Sequence, residues 1–538
     1  MRFLQVRGIA VVGIVVLGNY PALDCELKPI DLGRGDQRVP EFVIPRRAMR
    51  RMGILRTCVH WLIASALACG IAGCGSEMVR PDLGRLYRVS AVAPDETPLI
   101  VIPGLFGSKL RDRTTGVEVW PGDWKRVFFD DYSDLELKFD PETLEVKPDN
   151  LEAFAIAEQV LGQDFYGPII ETLVRYGGYV RATPGTRVQP GERRYYIFTY
   201  DWRQDNVVHA RELDQLIEQI RADYGDPKLR VDIVAHSMGG LVSRYYLRYG
   251  PVDVLDGSPQ LITLYGTARV RKLILLGTPN FGAISSLYAY LNGEPIGLKR
   301  MAPEVLATMP SGYQLFPHPI ATWLIDIDGN PLSDSLFDPE VWQRYRWGIY
   351  DPAVEARLRA TRGATAETYV AALRRYFALR LERARRLAWN LSTPEPSSPI
   401  RYVLFGGDCQ LTPARMALEV ENGVPLARLS PADIQAPRPR VPYGELMLEP
   451  GDGRVTKPSL LARETLDPTA PQNEESFLPV AYWFFLCERH DQLTSNINFQ
   501  DNLLNVLLTR QLPWDMNAKP PEGQIKAGDP SPHGISTQ

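Results

Sequence analysis

Ser237 stands in the hexapeptide Ala235-His236-Ser237-Met238-Gly239-Gly240, directly behind the apolar run Val231-Asp232-Ile233-Val234. A strand that ends in small-X-Ser-X-Gly and turns at once into a helix holds the serine in a strained backbone conformation and lifts its hydroxyl clear of the sheet. Small residues flank such a serine because the strand and helix backbones pass close together; Ala235 stands where glycine is usual and adds one methyl. The chemistry open to such a group is attack on a carbonyl. Because a serine hydroxyl is a poor nucleophile at neutral pH, it needs a base within hydrogen-bond reach and a carboxylate to orient that base.

The chain has six histidines, few enough to sort one by one. Where this elbow carries a triad, the partners follow in the order serine, acid, histidine. That order sets aside His60 and His209, and His236 lies inside the elbow itself. His533 sits in a Pro/Gly/Ser-rich tail, and His318 lies between prolines with no strand before it. His490 follows the β-prone run Phe477–Leu486 and precedes an apolar helix around Leu503–Leu508, so it is the expected base. Two carboxylates fit the acid about equally well on local pattern. Asp408 comes two glycines after Tyr402-Val403-Leu404-Phe405, and Asp452 lies in the glycine-flanked turn Gly451-Asp452-Gly453-Arg454.

Positioning these groups requires a sheet. Strands are predicted at Leu99–Ile102, Tyr195–Thr199, Val231–Val234, Val270–Leu276, Arg401–Phe405 and Val480–Leu486, with helices between them. One helix is Val208–Tyr224, whose Leu213, Leu216, Ile217 and Ile220 share a face; another begins at the elbow and ends before Gly250-Pro251. Such alternation implies a mostly parallel sheet covered on both faces. The apolar strand ending in Pro103-Gly104 brings the backbone N–H of Leu105 beside the elbow. A preorganised amide aimed at a developing oxyanion is worth about 3–4 kcal/mol.

Two stretches break the rhythm. Residues 120–151 are rich in aromatics and acids, and a long insertion covers about 281–399 and is expected to cap the serine. In the insertion, Thr365–Trp389 reads as a helix with Val370, Leu373, Phe377, Leu381, Ala384 and Ala388 on one face and Arg374, Arg375, Arg380, Arg383, Arg385 and Arg386 around the rest. A solvated basic face is the simpler reading of those arginines, and contact with phosphate-bearing lipid the other. Trp120, Trp124, Phe128, Phe129 and Tyr132 divide in the same way between core packing and contact with a lipid surface.

Taken in series, several blocks resemble the lecithin:cholesterol acyltransferase family, which includes related phospholipases and transacylases. They are Leu99-Ile100-Val101-Ile102-Pro103-Gly104-Leu105-Phe106-Gly107-Ser108, Phe165-Tyr166-Gly167 before Gly177-Gly178-Tyr179, Tyr200-Asp201-Trp202-Arg203, the elbow, Leu276-Gly277-Thr278-Pro279, Pro310-Ser311-Gly312-Tyr313, Gly451-Asp452-Gly453 and His490. The resemblance runs from about Leu99 to Leu508. It implies an α/β-hydrolase fold with a large cap, and it favours Asp452 as the acid with Asp408 in reserve. It also implies that the amides of Leu105 and Met238 form the oxyanion hole, and that the 120–151 region is a lid-like, lipid-contacting segment. The departures are Ala235 in the elbow and Leu110-Arg111, where the family tends to carry an acidic residue.

The first 73 residues read as an N-terminal extension ending in a secretion signal. Arg50, Arg51 and Arg56 lead into an apolar run from Cys58 to Gly70. Ile71-Ala72-Gly73-Cys74 resembles a bacterial lipobox, which implies a lipidated Cys74 and a place at the cell envelope, anchored to the outer membrane, in the periplasm or secreted. Met49 or Met52 is a natural start for such a signal. Residues 74–95 read as a linker, 96–515 as the hydrolase domain and 516–538 as a flexible tail.

From Cys74 onward the chain carries 50 basic and 59 acidic side chains, so its net charge of −9 gives no attraction to nucleic acid or anionic membranes. In an oxidising compartment, Cys409 and Cys487 are expected either to pair or to remain as two buried thiols. No His/Cys/Asp cluster has metal-ligand spacing, and no cofactor is needed for acyl transfer through serine. The expected partners are a lipid ester, a water or alcohol acceptor, and a lipid surface. The functional expectation is a lipid O-acyltransferase or esterase acting on esters such as phospholipids. The alternatives are a phospholipase or lipase that only hydrolyses, and an inactive envelope lipoprotein on the same scaffold.

Overall fold

The computed structural model describes residues 80–509, apart from 93–95, 161–162, 258–260, 395–399, 468 and 470–477. The signal and lipobox readings, Cys74 and the tail from 516 lie outside the described residues. Seven strands make the main sheet: β1 (Leu99–Ile102), β2 (Tyr179–Arg181), β3 (Arg193–Ile197), β4 (Val231–His236), β5 (Val270–Leu276), β6 (Arg401–Gly407) and β7 (Val480–Leu486). Their order is β7-β6-β5-β4-β1-β3-β2, and every pairing is parallel. Parallel neighbours need crossovers, so helices cover both faces.

Six helices matter for the site: α1 (Trp124–Phe129), α2 (Gly167–Arg175), α3 (Asn206–Tyr224), α4 (Met238–Tyr249), α5 (Ala366–Ser392) and α6 (Ile497–Leu508). Alternate strand residues serve opposite layers, as the two-residue period of a strand requires. Ile100, Ile102, Ile233, Leu273 and Leu275 pack with α3 and α4 in one core. Leu99, Val101, Val234, Ile274, Leu276 and Phe405 pack with α2 and α6 in the other. With both faces covered, a central strand reads as a continuous apolar run, which is why β1 and β5 have the predicted boundaries.

Other boundaries move for physical reasons. β3 begins two residues before its prediction, because Arg193 and Arg194 are buried with their guanidinium groups bonded to backbone carbonyls. β2 was not predicted at all; it is a three-residue edge strand with two exposed side chains. The expected linker contains a short helix, Leu83–Tyr87, whose Tyr87 hydroxyl donates to the backbone oxygen of Asp501 in α6 (2.7 Å).

The insertion at 281–399, expected to cap the serine, shares a small sheet with a second stretch of chain. Strand Leu324–Asp326 pairs with Met416–Glu421, which pairs in turn with Val424–Arg428. An antiparallel pair of Gln410–Pro413 with Leu448–Gly451 leads back to the site. The segment between β6 and β7 therefore contributes as well.

In α5 the apolar residues Val370, Leu373, Phe377, Leu381 and Ala384 are buried as the spacing predicts, and Ala388 partly so. Its arginines are engaged within the protein. Arg383 is buried against Asp205 (3.1 Å), Asp253 (3.1 Å) and Asp256 (2.5 Å). Arg375 and Arg380 donate to the carbonyls of Pro141 and Leu144, while Arg385 and Arg386 both pair with Glu382. These contacts fasten the cap to the 120–151 segment and α3. They leave the helix poorly suited to gripping lipid phosphate.

Candidate active site

β4 ends at His236 and α4 starts at Met238, so Ser237 alone makes the turn, at φ 51° and ψ −122°. A left-handed φ at a non-glycine residue costs on the order of 1–3 kcal/mol and persists only where the surroundings enforce it. Close approach explains the glycines nearby. A Cβ on Gly239 would lie 2.5 Å from the Pro103 carbonyl oxygen, and one on Gly240 would lie 2.0 Å from Thr278 Oγ1. Ala235 is fully buried between Ile102 of β1 and Leu275 of β5, so its methyl is accommodated in the sheet.

The structure brings Ser237, His490 and Asp452 together. His490 Nε2 lies 3.0 Å from Ser237 Oγ, and His490 Nδ1 lies 2.8 Å from Asp452 Oδ2. Asp452 is 1% exposed, and its other oxygen accepts the backbone N–H groups of Arg454 (3.0 Å) and Val455 (2.7 Å). The glycine-flanked turn thus folds its own amides onto the carboxylate and leaves one oxygen for the imidazole. Asp408 is elsewhere. Its carboxylate pairs with Lys457 Nζ at 2.7 Å, and its backbone N–H is held by Leu486. Of the two acids left open by local pattern, only Asp452 reaches His490.

Leu105 and Met238 flank the serine. Gly104 packs so tightly that a Cβ there would lie 2.7 Å from Ser237 Cβ, and Leu105 follows it on the cavity wall. Met238 is the first residue of α4, where a helix leaves its N–H groups unpaired. Among the described residues, no protein acceptor takes the amide N–H of either residue. The loop carrying Leu105 is braced by the Tyr200-Asp201-Trp202-Arg203 motif. The Tyr200 hydroxyl donates to the Pro103 carbonyl (2.7 Å), and Trp202 donates to that of Ser108 (3.0 Å). Fully buried Arg203 pairs with Asp201 and Asp149 (2.8 Å each), tying in the 120–151 segment.

Two residues near Ser237 had no chemical role in the sequence reading. The Tyr166 hydroxyl lies 2.8 Å from both the Gly104 amide and His236 Nδ1, and His236 Nε2 lies 3.3 Å from the carbonyl oxygen of His490. Burial, and secondarily the neighbouring His490, push the His236 imidazole down to about 3, while burial raises the Tyr166 phenol above its ordinary value. The only sequence signal was the block Phe165-Tyr166-Gly167.

Ser237 opens into a largely apolar cavity of about 470 Å³, walled by Leu105, Trp120, Val127, Tyr290, Ile296 and Leu315, with Glu294, Arg454 and Arg489 on a polar side. Of the aromatics that divided between core packing and lipid contact, Trp120 packs in the interior and lines the cavity. It is 8% exposed, packs between Phe106, Tyr132 and Trp202, and donates its indole N–H to the Phe106 carbonyl. Tyr132 is likewise fully buried. Trp124, Phe128 and Phe129 on α1 are 57%, 38% and 57% exposed. Cys409 and Cys487 are joined in a disulfide, with Cα atoms 4.9 Å apart, linking the residues that follow the ends of β6 and β7.

A search of curated proteins finds no match to the chain. Among solved structures it is similar to a chain of the Tle4–Tli4 complex, at 16% identity and TM-score 0.45 over 77% of this chain and 98% of that one. It is also similar to the mature lipase BlEst2 of Bacillus licheniformis, at 12% identity and TM-score 0.29 over 78% and 94% of the two chains. For the Staphylococcus hyicus lipase the values are 13% and 0.29 over 80% and 98%. The parallel sheet with the serine elbow after its central strand β4 is an α/β-hydrolase fold. The model of the lecithin:cholesterol acyltransferase family matches residues 192–339, from β3 through the elbow into the cap, and it is this family that the chain resembles.

Proposed function

We propose that the protein is a lipid O-acyltransferase or esterase that works through an acyl-serine. The observation that carries the reading is the hydrogen-bonded series Ser237 Oγ, His490 imidazole, Asp452 carboxylate on the wall of a largely apolar cavity. Ser237 Oγ attacks the ester carbonyl while His490 Nε2 takes its proton, and Asp452 holds the ring with Nδ1–H toward itself. The oxyanion forms against the N–H groups of Leu105 and Met238. His490 then returns the proton to the leaving alcohol, which leaves the acyl group on Ser237. Water or a second alcohol, deprotonated by His490, attacks that ester and frees the serine. Apolar walls suit the acyl chain, and the exposed Trp124, Phe128 and Phe129 of α1, next to the wall residue Val127, suit docking on a lipid surface. Lipidation of Cys74 would hold the enzyme at such a surface in the cell envelope, which metabolic labelling of wild type and Cys74→Ser with a fatty-acid analogue tests.

Product analysis on phospholipid vesicles, with and without a long-chain alcohol, tests the reaction. A new ester in the presence of the alcohol supports transfer. Free fatty acid alone makes the protein a phospholipase or lipase. No product, together with no labelling of Ser237 by a serine-reactive phosphonate, overturns the enzymatic reading and leaves a lipid-binding scaffold.

A further inference from the structure

We infer that Tyr166 and His236 are positioning residues that couple the backbone of the oxyanion-side loop to the backbone of the general base. The inference rests on the triad reading above and adds to it two residues that line the same cavity but bond to neither Ser237 Oγ nor the His490 ring.

With His236 neutral, as its burial favours, only one arrangement of protons satisfies the observed contacts. The Gly104 N–H can only donate, so the Tyr166 oxygen accepts from it at 2.8 Å. The His490 main-chain oxygen can only accept, so His236 Nε2 carries the proton that points to it at 3.3 Å. A neutral imidazole then has Nδ1 free to accept, and the Tyr166 O–H donates to it at 2.8 Å. The chain therefore runs from Gly104 N–H through the Tyr166 hydroxyl and the His236 ring to the carbonyl of His490, and each donor is used once. It begins one residue before Leu105, at the glycine packed against Ser237 Cβ, and ends on the residue whose side chain takes the serine proton. The His490 backbone is thus held on two sides, its carbonyl by His236 and its N–H by the Asp452 carbonyl at 2.9 Å.

The same arrangement keeps a second cation out of the site. The His236 and His490 rings lie 4.9 Å apart between centroids. A charged His236 would oppose the imidazolium that forms on His490 when Ser237 attacks. Burial keeps His236 neutral, and the Tyr166 hydroxyl supplies an alternative proton donor to Nδ1 without charge.

The test uses Tyr166→Phe, which deletes one oxygen, and the pair His236→Gln and His236→Leu, of which only glutamine retains an N–H near the ring Nε2 position. The full-length variants are compared with wild type for kcat and KM on a short soluble ester, for the rate of phosphonate labelling at Ser237, and for Tm. The inference expects Tyr166→Phe to lose about 10-fold in kcat and labelling rate with KM within 2-fold. It expects His236→Leu to lose at least 10-fold more than His236→Gln at matched Tm. Wild-type kcat and labelling rate in Tyr166→Phe, or equal losses in the two His236 variants, would overturn the inference while labelled wild type leaves the triad reading standing. Absence of labelling in wild type itself would overturn both.

Discussion

Asp452 and His490 meet twice. The Asp452 carboxylate oxygen Oδ2 lies 2.8 Å from His490 Nδ1, and the Asp452 main-chain oxygen accepts the His490 N–H at 2.9 Å. The two residues are therefore aligned by backbone as well as by side chain, although they come from turns after different strands. Asp452→Asn keeps the shape and can still bond, but it offers an N–H to His490 and favours the wrong tautomer. A loss of about 10³–10⁴-fold in kcat on a short ester is expected, with KM little changed. Asp408→Asn, which removes only the partner of Lys457, is expected to stay within about 3-fold of wild type. A comparable loss in both variants would contradict the assignment of the acid.

Gly104 makes a second, purely steric prediction. Its added Cβ would meet Ser237 Cβ at 2.7 Å, with His236 Nδ1 at 3.2 Å and the His236 carbonyl at 3.3 Å. Gly104→Ala must push the Leu105 loop away from the elbow, at a cost on the order of 1–3 kcal/mol for an overpacked core. Activity is expected to fall by at least 100-fold, with a measurable fall in Tm. Wild-type turnover in this variant would mean that the loop does not form the oxyanion site.

The site and the fold were legible to different depths. Ser237 and His490 could be read because a nucleophile elbow and a histidine between the last strand and last helix are local patterns. The choice between Asp408 and Asp452 could not be read from residues alone, since both follow glycines near strand ends. What separates them is their surroundings in the fold, where Asp408 pairs with Lys457 while Asp452 reaches His490. The Tyr166–His236 bond spans 70 positions, so it exists only in the folded chain. β2 was missed because an edge strand need not bury both faces, and the cap's second stretch because its strands pair with Leu324–Asp326, roughly ninety residues away.

Acid sensitivity follows from two buried imidazoles. Burial holds both His236 and His318 down to about 3, against 6.5 for a free histidine. Below pH 6.5 the unfolded chain takes up protons that the folded chain refuses, so stability is complete above 6.5 and is lost as pH falls from there toward 3. Each group contributes up to about 1.4 kcal/mol per pH unit across that window. Because His318 stacks on Phe281, at 4.2 Å between ring centroids, and is not a lining residue of the Ser237 cavity, His318→Gln isolates the effect. The variant is expected to be less stable than wild type at pH 7.5 and to lose less Tm between pH 7 and pH 4.5. Parallel Tm curves for the two proteins would show that His318 is not held neutral.

The aromatic residues of the 120–151 segment separate into two populations, and they should respond differently to substitution. Trp120 belongs to the wall of the cavity and to a buried cluster with Phe106, Tyr132 and Trp202, so Trp120→Ala is expected to cost about 3–5 kcal/mol and to impair every substrate. Trp124, Phe128 and Phe129 present apolar surface to solvent on α1, within three residues of the wall residue Val127. Adsorption to a lipid aggregate would cover that surface and gain roughly 25 cal/mol per Å² of apolar area removed from water. A short soluble ester gains nothing from it. Trp124→Ser is therefore expected to lower the rate on phospholipid vesicles about 10-fold while leaving kcat/KM for the short ester within 2-fold. Because Trp124 makes few buried contacts, Tm should stay constant, and a vesicle-binding assay should follow the vesicle rate. Equal losses on both substrates would place Trp124 in the packing of the lid and remove α1 from the lipid surface.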